Sequence, residues 1–445
     1  MEISQVIHRF DTARPGRFHF KLMLAAGSTW IWVAYGVTII GFIIPSLKTE
    51  WGISASALGL LAGTGMLGML VGAVTAGWLA DRYGRRVVLT RIMLYQAAFF
   101  LLSALARSYP QLLVLRFFLG MGLGAALPVA GTLVSEFSPT RIRGMLMVLL
   151  NTFWAVGATL AALVGYLIVI NFGWRPAMAF GGLAGLCAIF VRVYLPESFR
   201  YLWEKGLQAE VLRQDASIQL VSETVEESPA AEIAEPAGDG IEGRAGIWSR
   251  RYALVTAVLW YLWIALNFLY QGVYVWLPTL LSSGQSGISR AYLVSLFISL
   301  GQVPGTFLAA YLADKFSRRN LLVLSQVLVG LSTALFPLLG TSWYVLTLGF
   351  FIMMFNGMSM GLGHPFTTEL YPTAIRGRAN GWASGIGRLG GVAAPLVVGA
   401  AVQAGVSLSV IFIILAAAPF STTIALGLIR HQTTGRSLEE IHSVN

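Results

Sequence analysis

The sequence predicts an all-α membrane protein: twelve transmembrane helices arranged as two pseudo-symmetric six-helix bundles. Three observations carry this. Of the 445 residues, 56% are hydrophobic and only 11% charged, whereas soluble domains carry about 25% charged residues. Apolar runs long enough for the ~20 residues that a bilayer core demands recur along the whole chain. Two pairs of charged loops also repeat at one fixed offset.

The runs fall near 22–47, 55–80, 87–106, 110–135, 144–170 and 175–195, then near 251–280, 289–313, 319–339, 342–370, 377–404 and 406–429. Inside lipid the backbone must satisfy its own hydrogen bonds, so these runs read as helices. The alternating ten-residue pattern of a membrane barrel is absent. Residues 1–21 are polar and basic, and the first run is a full span rather than a short cleavable signal. An even number of crossings puts both termini on one side. Loops on that side hold 22 of the 30 Lys and Arg residues; the opposite side holds Lys48, Arg107, Arg175 and Arg290. The positive-inside rule therefore places both termini in the cytoplasm and the chain in the plasma or inner membrane.

Domain organisation follows: a cytoplasmic segment 1–21, a bundle 22–195, a central loop 196–250, a second bundle 251–429 and a tail 430–445. The central loop carries 11 of the 20 acidic residues. Its early part, Tyr201 to Leu220, is expected to form short surface helices. The later Pro- and Gly-containing acidic stretch reads as disordered.

The repeat is direct. L-A-D-R-Y-G-R-R (Leu79–Arg86) returns as L-A-D-K-F-S-R-R (Leu312–Arg319), and E-F-S-P-T-R-I-R-G (Glu136–Gly144) returns as E-L-Y-P-T-A-I-R-G (Glu369–Gly377), both displaced by 233 residues. Two loop pairs in one frame indicate a duplicated six-helix unit. Positive charge that only orients the chain explains the arginines but not the carboxylates at matched positions. Asp81, Arg85, Arg86, Glu136 and Arg143, with Asp314, Arg318, Glu369 and Arg376, are expected to pair across helix ends. Those pairs would hold the cytoplasmic side shut and break when it opens.

The net charge of +10 sits in short loops between spans, which does not fit a nucleic-acid surface. Cys187 is the single cysteine, so internal disulfides and cysteine metal clusters are excluded. No G-x-x-x-x-G-K-[ST] loop, metal cluster, nucleophile elbow or mid-span carboxylate pair occurs. The expectation is therefore neither an enzyme nor an ATP-driven pump, with no cofactor and no metal. The expected partners are a small-molecule substrate and the lipid bilayer, with no nucleic acid and a monomeric unit.

A mid-bilayer arginine costs about 2.5–3.5 kcal/mol on insertion scales. Arg388 lies about eleven residues into span eleven, ~16 Å along the helix, and no acidic residue sits at that depth. An anionic substrate, held by two parallel hydrogen bonds, or backbone carbonyls with water would satisfy it. Arg116 in span four serves coupling, packing or substrate. Arg91 and Arg192, nearer the helix ends, are expected to snorkel. Span seven carries Trp260, Trp263, Asn267, Tyr270, Gln271 and Tyr274 at helical spacing. That stripe fits a cavity wall for a flat ring, or polar contacts between helices. Trp32 and Tyr35 in span one are candidates for the same wall. Asn356, His364, Asn151, Trp154 and Gln302 are weaker ones. Glu136, Asp81 and His364 are the candidates to carry a coupling proton, the histidine because it titrates near neutral pH.

At these residues the chain resembles the major facilitator superfamily. G-W-L-A-D-R-Y-G-R-R (Gly77–Arg86) matches its signature loop, and P-E-S-F-R-Y-L (Pro196–Leu202) resembles the tag of the sugar-porter branch. N-F-L-Y-Q-G-V-Y-V-W-L-P (Asn267–Pro278) and G-I-G-R-L-G-G-V-A-A-P (Gly385–Pro395) are similar to the bacterial niacin and aromatic-acid transporters, the animal organic-ion transporters and the synaptic vesicle protein 2 group. The resemblance implies the major facilitator fold and rocker-switch alternating access around a central site lined by spans one, four, seven and ten. The expected activity is secondary transport of a small organic anion, such as nicotinate or benzoate, with proton coupling open. A neutral sugar, a polyol or an organic cation as substrate, and a receptor without flux, are the alternatives. Two features depart from relatives: Trp30–Ile40 lacks the carboxylate many proton-coupled members carry, and span five lacks the Gly-Pro step of the drug antiporters.

Overall fold

The computed structural model describes residues 16–139, 142–207, 210–211, 213–214, 246–282, 287–313, 315–337 and 342–429. The expected disordered part of the central loop, residues 1–15, the tail 430–445 and Asp314 lie outside the described residues.

The helices are α1 Arg17–Trp51, α2 Ala55–Tyr83, α3 Arg85–Ala104, α4 Tyr109–Glu136, α5 Arg143–Phe172, α6 Trp174–Tyr194, α7 Ala253–Ser282, α8 Gly287–Ala313, α9 Arg318–Leu335, α10 Ser342–Glu369, α11 Thr373–Gln403 and α12 Leu408–Gly427. Eleven of them are long and apolar enough to cross a membrane. The other, α9, is 18 residues long. It buries Ser325, Gln326, Ser332 and Thr333, and Ser325 and Gln326 both bond Ser359 of α10. Its polar groups are thus satisfied by a neighbouring helix, the usual condition for polar residues in a span.

Two helices are interrupted for packing. A π turn, Gly165–Val169, sits in α5 where the Phe42 ring of α1 fills the space a Gly165 side chain would need. In α8 the break falls at Gly301, whose missing side chain admits the Phe350 carbonyl of α10.

Packing repeats under a shift of six helices. In the first half α1 lies on α5, α2 on α4, and α3 on α4 and α6; in the second, α7 lies on α11, α8 on α10, and α9 on α10 and α12. The halves meet along α2/α11, α1/α7 and α5/α8. The α2/α11 seam is tight on the face away from the basic loops. Gly59 lies against the Pro395 carbonyl, Gly63 against the Val392 carbonyl, and Gly399 against the Ala55 carbonyl. The Ala55 N–H donates to Gln403 Oε1 (3.0 Å). On the same face Tyr292 OH bonds the Phe42 carbonyl.

Toward the basic face the seam opens. Gly77, one full repeat of five turns beyond Gly59, and Gly385 and Gly381, continuing the α11 stripe, have no heavy atom within 4 Å of where a side chain would stand. The two halves therefore form a wedge, closed on one face and separated on the face that carries the Asp-Arg-Tyr-Gly-Arg-Arg loop.

A short helix, Phe199–Glu204, follows α6. It seats the Pro196–Leu202 segment on the signature loop. The buried Glu197 carboxylate accepts from the N–H groups of Arg86 (3.0 Å) and Val87 (3.4 Å), capping α3. Arg85 Nη1 donates to Ser198 Oγ (3.3 Å).

Candidate functional site

Arg388 lies at the apex of the wedge. It is 8% exposed, and its Nη1 donates to the Met69 carbonyl of α2 (2.5 Å). Of the two expected ways of satisfying it, a backbone carbonyl is present: that of Met69, in the opposite half, takes one of its five donors. Met69 lines a narrow cavity together with Val37, Ile40, Met66, Arg116 and Gln271, with room for about one water molecule. Arg388 is thus tied beside the centre of the protein and not away from it.

Arg116 projects from α4 into that cavity and is 2% exposed. Its Nη1 donates to the Gly36 carbonyl of α1 (3.0 Å), its guanidinium fills the space left by Gly65 of α2, and its Nε has no partner. Gln271 reaches across the seam to Met66 Sδ (3.5 Å).

One helical step around α7, the face changes from polar to aromatic. Tyr270 OH accepts from Trp154 Nε1 of α5 (2.9 Å). The ring centroids of Trp30 and Trp154 lie 6.5 Å apart, those of Trp154 and Tyr270 6.3 Å, and those of Tyr270 and Tyr274 4.6 Å. These four rings make a continuous row that crosses from one half to the other, at spacings that aromatic pairs prefer. Thr38, Gln302 and Tyr274 also approach the Tyr270 hydroxyl. Around the row, the Trp30 Nε1, Gln302 Oε1, and Asn356 Nδ2 and Oδ1 atoms are buried without a hydrogen-bond partner. Each such orphan costs about 1–3 kcal/mol, so these atoms are open to a further hydrogen-bond partner.

Other sequence candidates fall elsewhere. Trp32 and Tyr35 turn away from the second half: Trp32 Nε1 donates to Cys187 Sγ (3.0 Å) and Tyr35 OH to the Ala177 carbonyl (2.5 Å), both in α6. They pack inside the first half, held by these bonds to α6. Trp30 and Thr38, eight residues apart and so on one face, are the wall residues that the sequence reading missed. Asn267 Nδ2 bonds its own helix at Trp263 O (2.9 Å) and lies beside Gly387. Asn151 bonds Met147 O of its own helix (3.1 Å). His364 stands nearer the basic face, its Nδ1 3.2 Å from Asn380 Oδ1 and its ring 4.4 Å from that of Trp263.

The gate residues also differ from expectation. Arg85 pairs with Glu136, and Arg318 with Glu369. Each pair lies within one half and is formed while the basic face is open, so neither pair ties the halves together. Arg143 Nη2 donates to Ser138 O (3.2 Å) and Arg376 Nε to Tyr371 O (3.4 Å), each closing its own loop. Asp81 is 74% exposed, with Arg85 at 3.9 Å. Arg86 contributes its backbone N–H to the Glu197 cap.

The family described as "Sugar (and other) transporter" matches residues 22–444. The chain belongs to that family. It shares the family's transporter character. The niacin transporter NiaP of Acinetobacter baylyi is 32% identical, over 98% of this chain and 99% of that protein. The gallate transporter of Pseudomonas putida is 30% identical, over 88% and 87%. The xylose transporter XylE from E. coli, in a partially occluded inward open conformation, superposes with a TM-score of 0.73 at 19% identity, covering 94% of this chain and 99% of that one. The fold of this family member is therefore the major facilitator fold, as its helix packing indicates.

Proposed function

We propose that this chain is a secondary transporter of a small aromatic carboxylate and that Arg388 is its anion anchor. The observation that carries the reading is the pairing, in the core where the halves meet, of a guanidinium with donors to spare and a row of four rings contributed by α1, α5 and α7. Relatives named for niacin, gallate and 4-hydroxybenzoate transport support it. Asn267 and Gln271 stand on the α7 face between the two features, and Arg116 keeps the far wall of the cavity positive.

With the basic face cytoplasmic, as the positive-inside rule directs, both termini are inside and the described conformation is inward-facing. Arg388 then has two roles. It holds α2 through one neutral carbonyl bond, and a substrate carboxylate offers two charge-assisted bonds, each stronger. Binding would release Met69 and loosen the α2/α11 seam, so substrate loading and the rocking of the halves share one side chain. Glu136, Asp81 and His364 stand as proton carriers, Asp81 being the most accessible; the protein works as a monomer.

Uptake into proteoliposomes tests the reading. Labelled nicotinate or benzoate is expected to accumulate saturably, while glucose and tetraethylammonium are not. Arg388→Ala is expected to weaken aromatic-acid binding by more than about a hundredfold, since two hydrogen bonds to a charged group are lost. Unaltered affinity in that variant, or uptake of sugar in preference to acid, would refute it. Repeating uptake with an imposed pH gradient separates symport from exchange.

A further inference from the structure

We infer that Asn356, Gln302 and Thr38 form a second polar subsite, which takes a hydroxyl group on the substrate ring. The inference rests on the aromatic-carboxylate reading above and adds the substituent that the ring must carry.

The three residues come from α10, α8 and α1 and converge on Tyr270. Gly363 of α10 packs against the Trp263 ring of α7, its would-be side chain 3.3 Å away. The two helices run in opposite directions. Seven residues from Gly363 toward the closed face lies Asn356, and seven from Trp263 the same way lies Tyr270, so two turns bring both to one level. Gly357, next to Asn356, sits on Gln302, its would-be side chain 2.9 Å from the Gln302 carbonyl and 3.1 Å from its Cγ. Gln302 and Thr38 both approach the Tyr270 hydroxyl.

All three side chains are more than nine-tenths buried: Asn356 and Thr38 are 1% exposed and Gln302 6%. Asn356 leaves both its donor, Nδ2, and its acceptor, Oδ1, without a partner; Gln302 and Thr38 have no partner beyond the Tyr270 hydroxyl that they approach. A structural asparagine inside a span bonds a neighbouring helix, as Gln326 does here with Ser359. Asn356 does not.

The chemistry of the set selects the ligand. No charged residue belongs to it, so it does not serve the carboxylate. It offers one amide donor, two amide acceptors and a hydroxyl that plays either part. A ring bearing only hydrogen satisfies none of these. A ring nitrogen accepts from Asn356 Nδ2 and leaves both acceptors empty. A phenolic hydroxyl donates to Asn356 Oδ1 or Gln302 Oε1 while accepting from Asn356 Nδ2. The rings beside this subsite then hold the flat body of a hydroxylated aromatic acid, whose carboxylate is left for Arg388.

Binding to the purified full chain in detergent, with benzoate, 3-hydroxybenzoate and 4-hydroxybenzoate as probes, tests this. In the wild type one hydroxybenzoate is expected to bind at least about tenfold tighter than benzoate, because a site built around hydrogen bonds rejects the analogue lacking them. Asn356→Leu is expected to bring that ratio toward one. Should that variant fail to fold, Gln302→Met carries the same ratio test. Equal binding of all three acids by the wild type, or a variant that weakens every acid alike and keeps the ratio, overturns the subsite and leaves the aromatic-acid reading standing. A wild type that binds nicotinate and none of the three overturns the subsite alone, and one that binds neither these acids nor nicotinate overturns both.

Discussion

Arg85 at the start of α3 and Glu136 at the end of α4 form an ion pair, and Arg318 with Glu369 repeats it 233 residues later (318 − 85 and 369 − 136). The duplicated loops thus encode one device twice. Each pair fastens two helix ends of the same half. A bundle that must tilt as a rigid body needs its loops held in this way, whichever side of the membrane is open.

These pairs are mostly buried, with side-chain exposures of 18% and 12% in the first and 24% and 15% in the second. Removing one partner leaves an uncompensated charge and costs about 3–5 kcal/mol. Glu136→Ala is therefore expected to lower the melting temperature of the purified protein sharply, and the exchange Arg85→Glu with Glu136→Arg to recover part of the loss. A melting temperature equal to wild type in the single variant would show that the pair carries no stability.

Asp81 behaves differently. Its carboxylate is largely exposed on the open face, where a single ion pair is worth at most about 1 kcal/mol. Asp81→Asn is expected to insert and melt like the wild type while its uptake rate falls severalfold, because the carboxylate finds its partners only when the basic face closes. Full transport activity would remove Asp81 from the cycle.

The closed face depends on glycine. At Gly59 any side chain would collide with the Pro395 carbonyl, and both atoms belong to helices that cannot yield locally. Gly59→Val is expected to shift the population toward the opposite conformation. Cysteines placed at Gly77 and Gly385 would then lose reactivity toward an impermeant thiol reagent applied from the basic side. Undiminished labelling would mean that the α2/α11 contact does not set the equilibrium.

Glu197 caps α3 through two backbone N–H groups, at the end where the helix dipole also favours a negative charge. Glu197→Ala is expected to cost about 1–2 kcal/mol and to lower the melting temperature without altering substrate affinity. Weakened binding with unchanged melting would assign this glutamate to the site instead.

Much of this protein was legible in its residues alone. Hydrophobic length, loop charge and the repeat depend on the chain's own order, so the helices and their duplication could be read directly. So could the oddity of Arg388, because a charge at that depth is costly wherever it points. Three things were decided only by the tertiary structure. Periodicity marks the faces of α1 but not which neighbour each face meets, so Trp32 and Tyr35 were chosen where Trp30 meets Trp154 of α5 and Thr38 meets Tyr270 of the second half. The carbonyls of Met69 and Gly36 that hold Arg388 and Arg116 leave no trace in a sequence, since every residue carries one. And Glu136 meets Arg85 because helix packing brings together residues that are 51 positions apart (136 − 85).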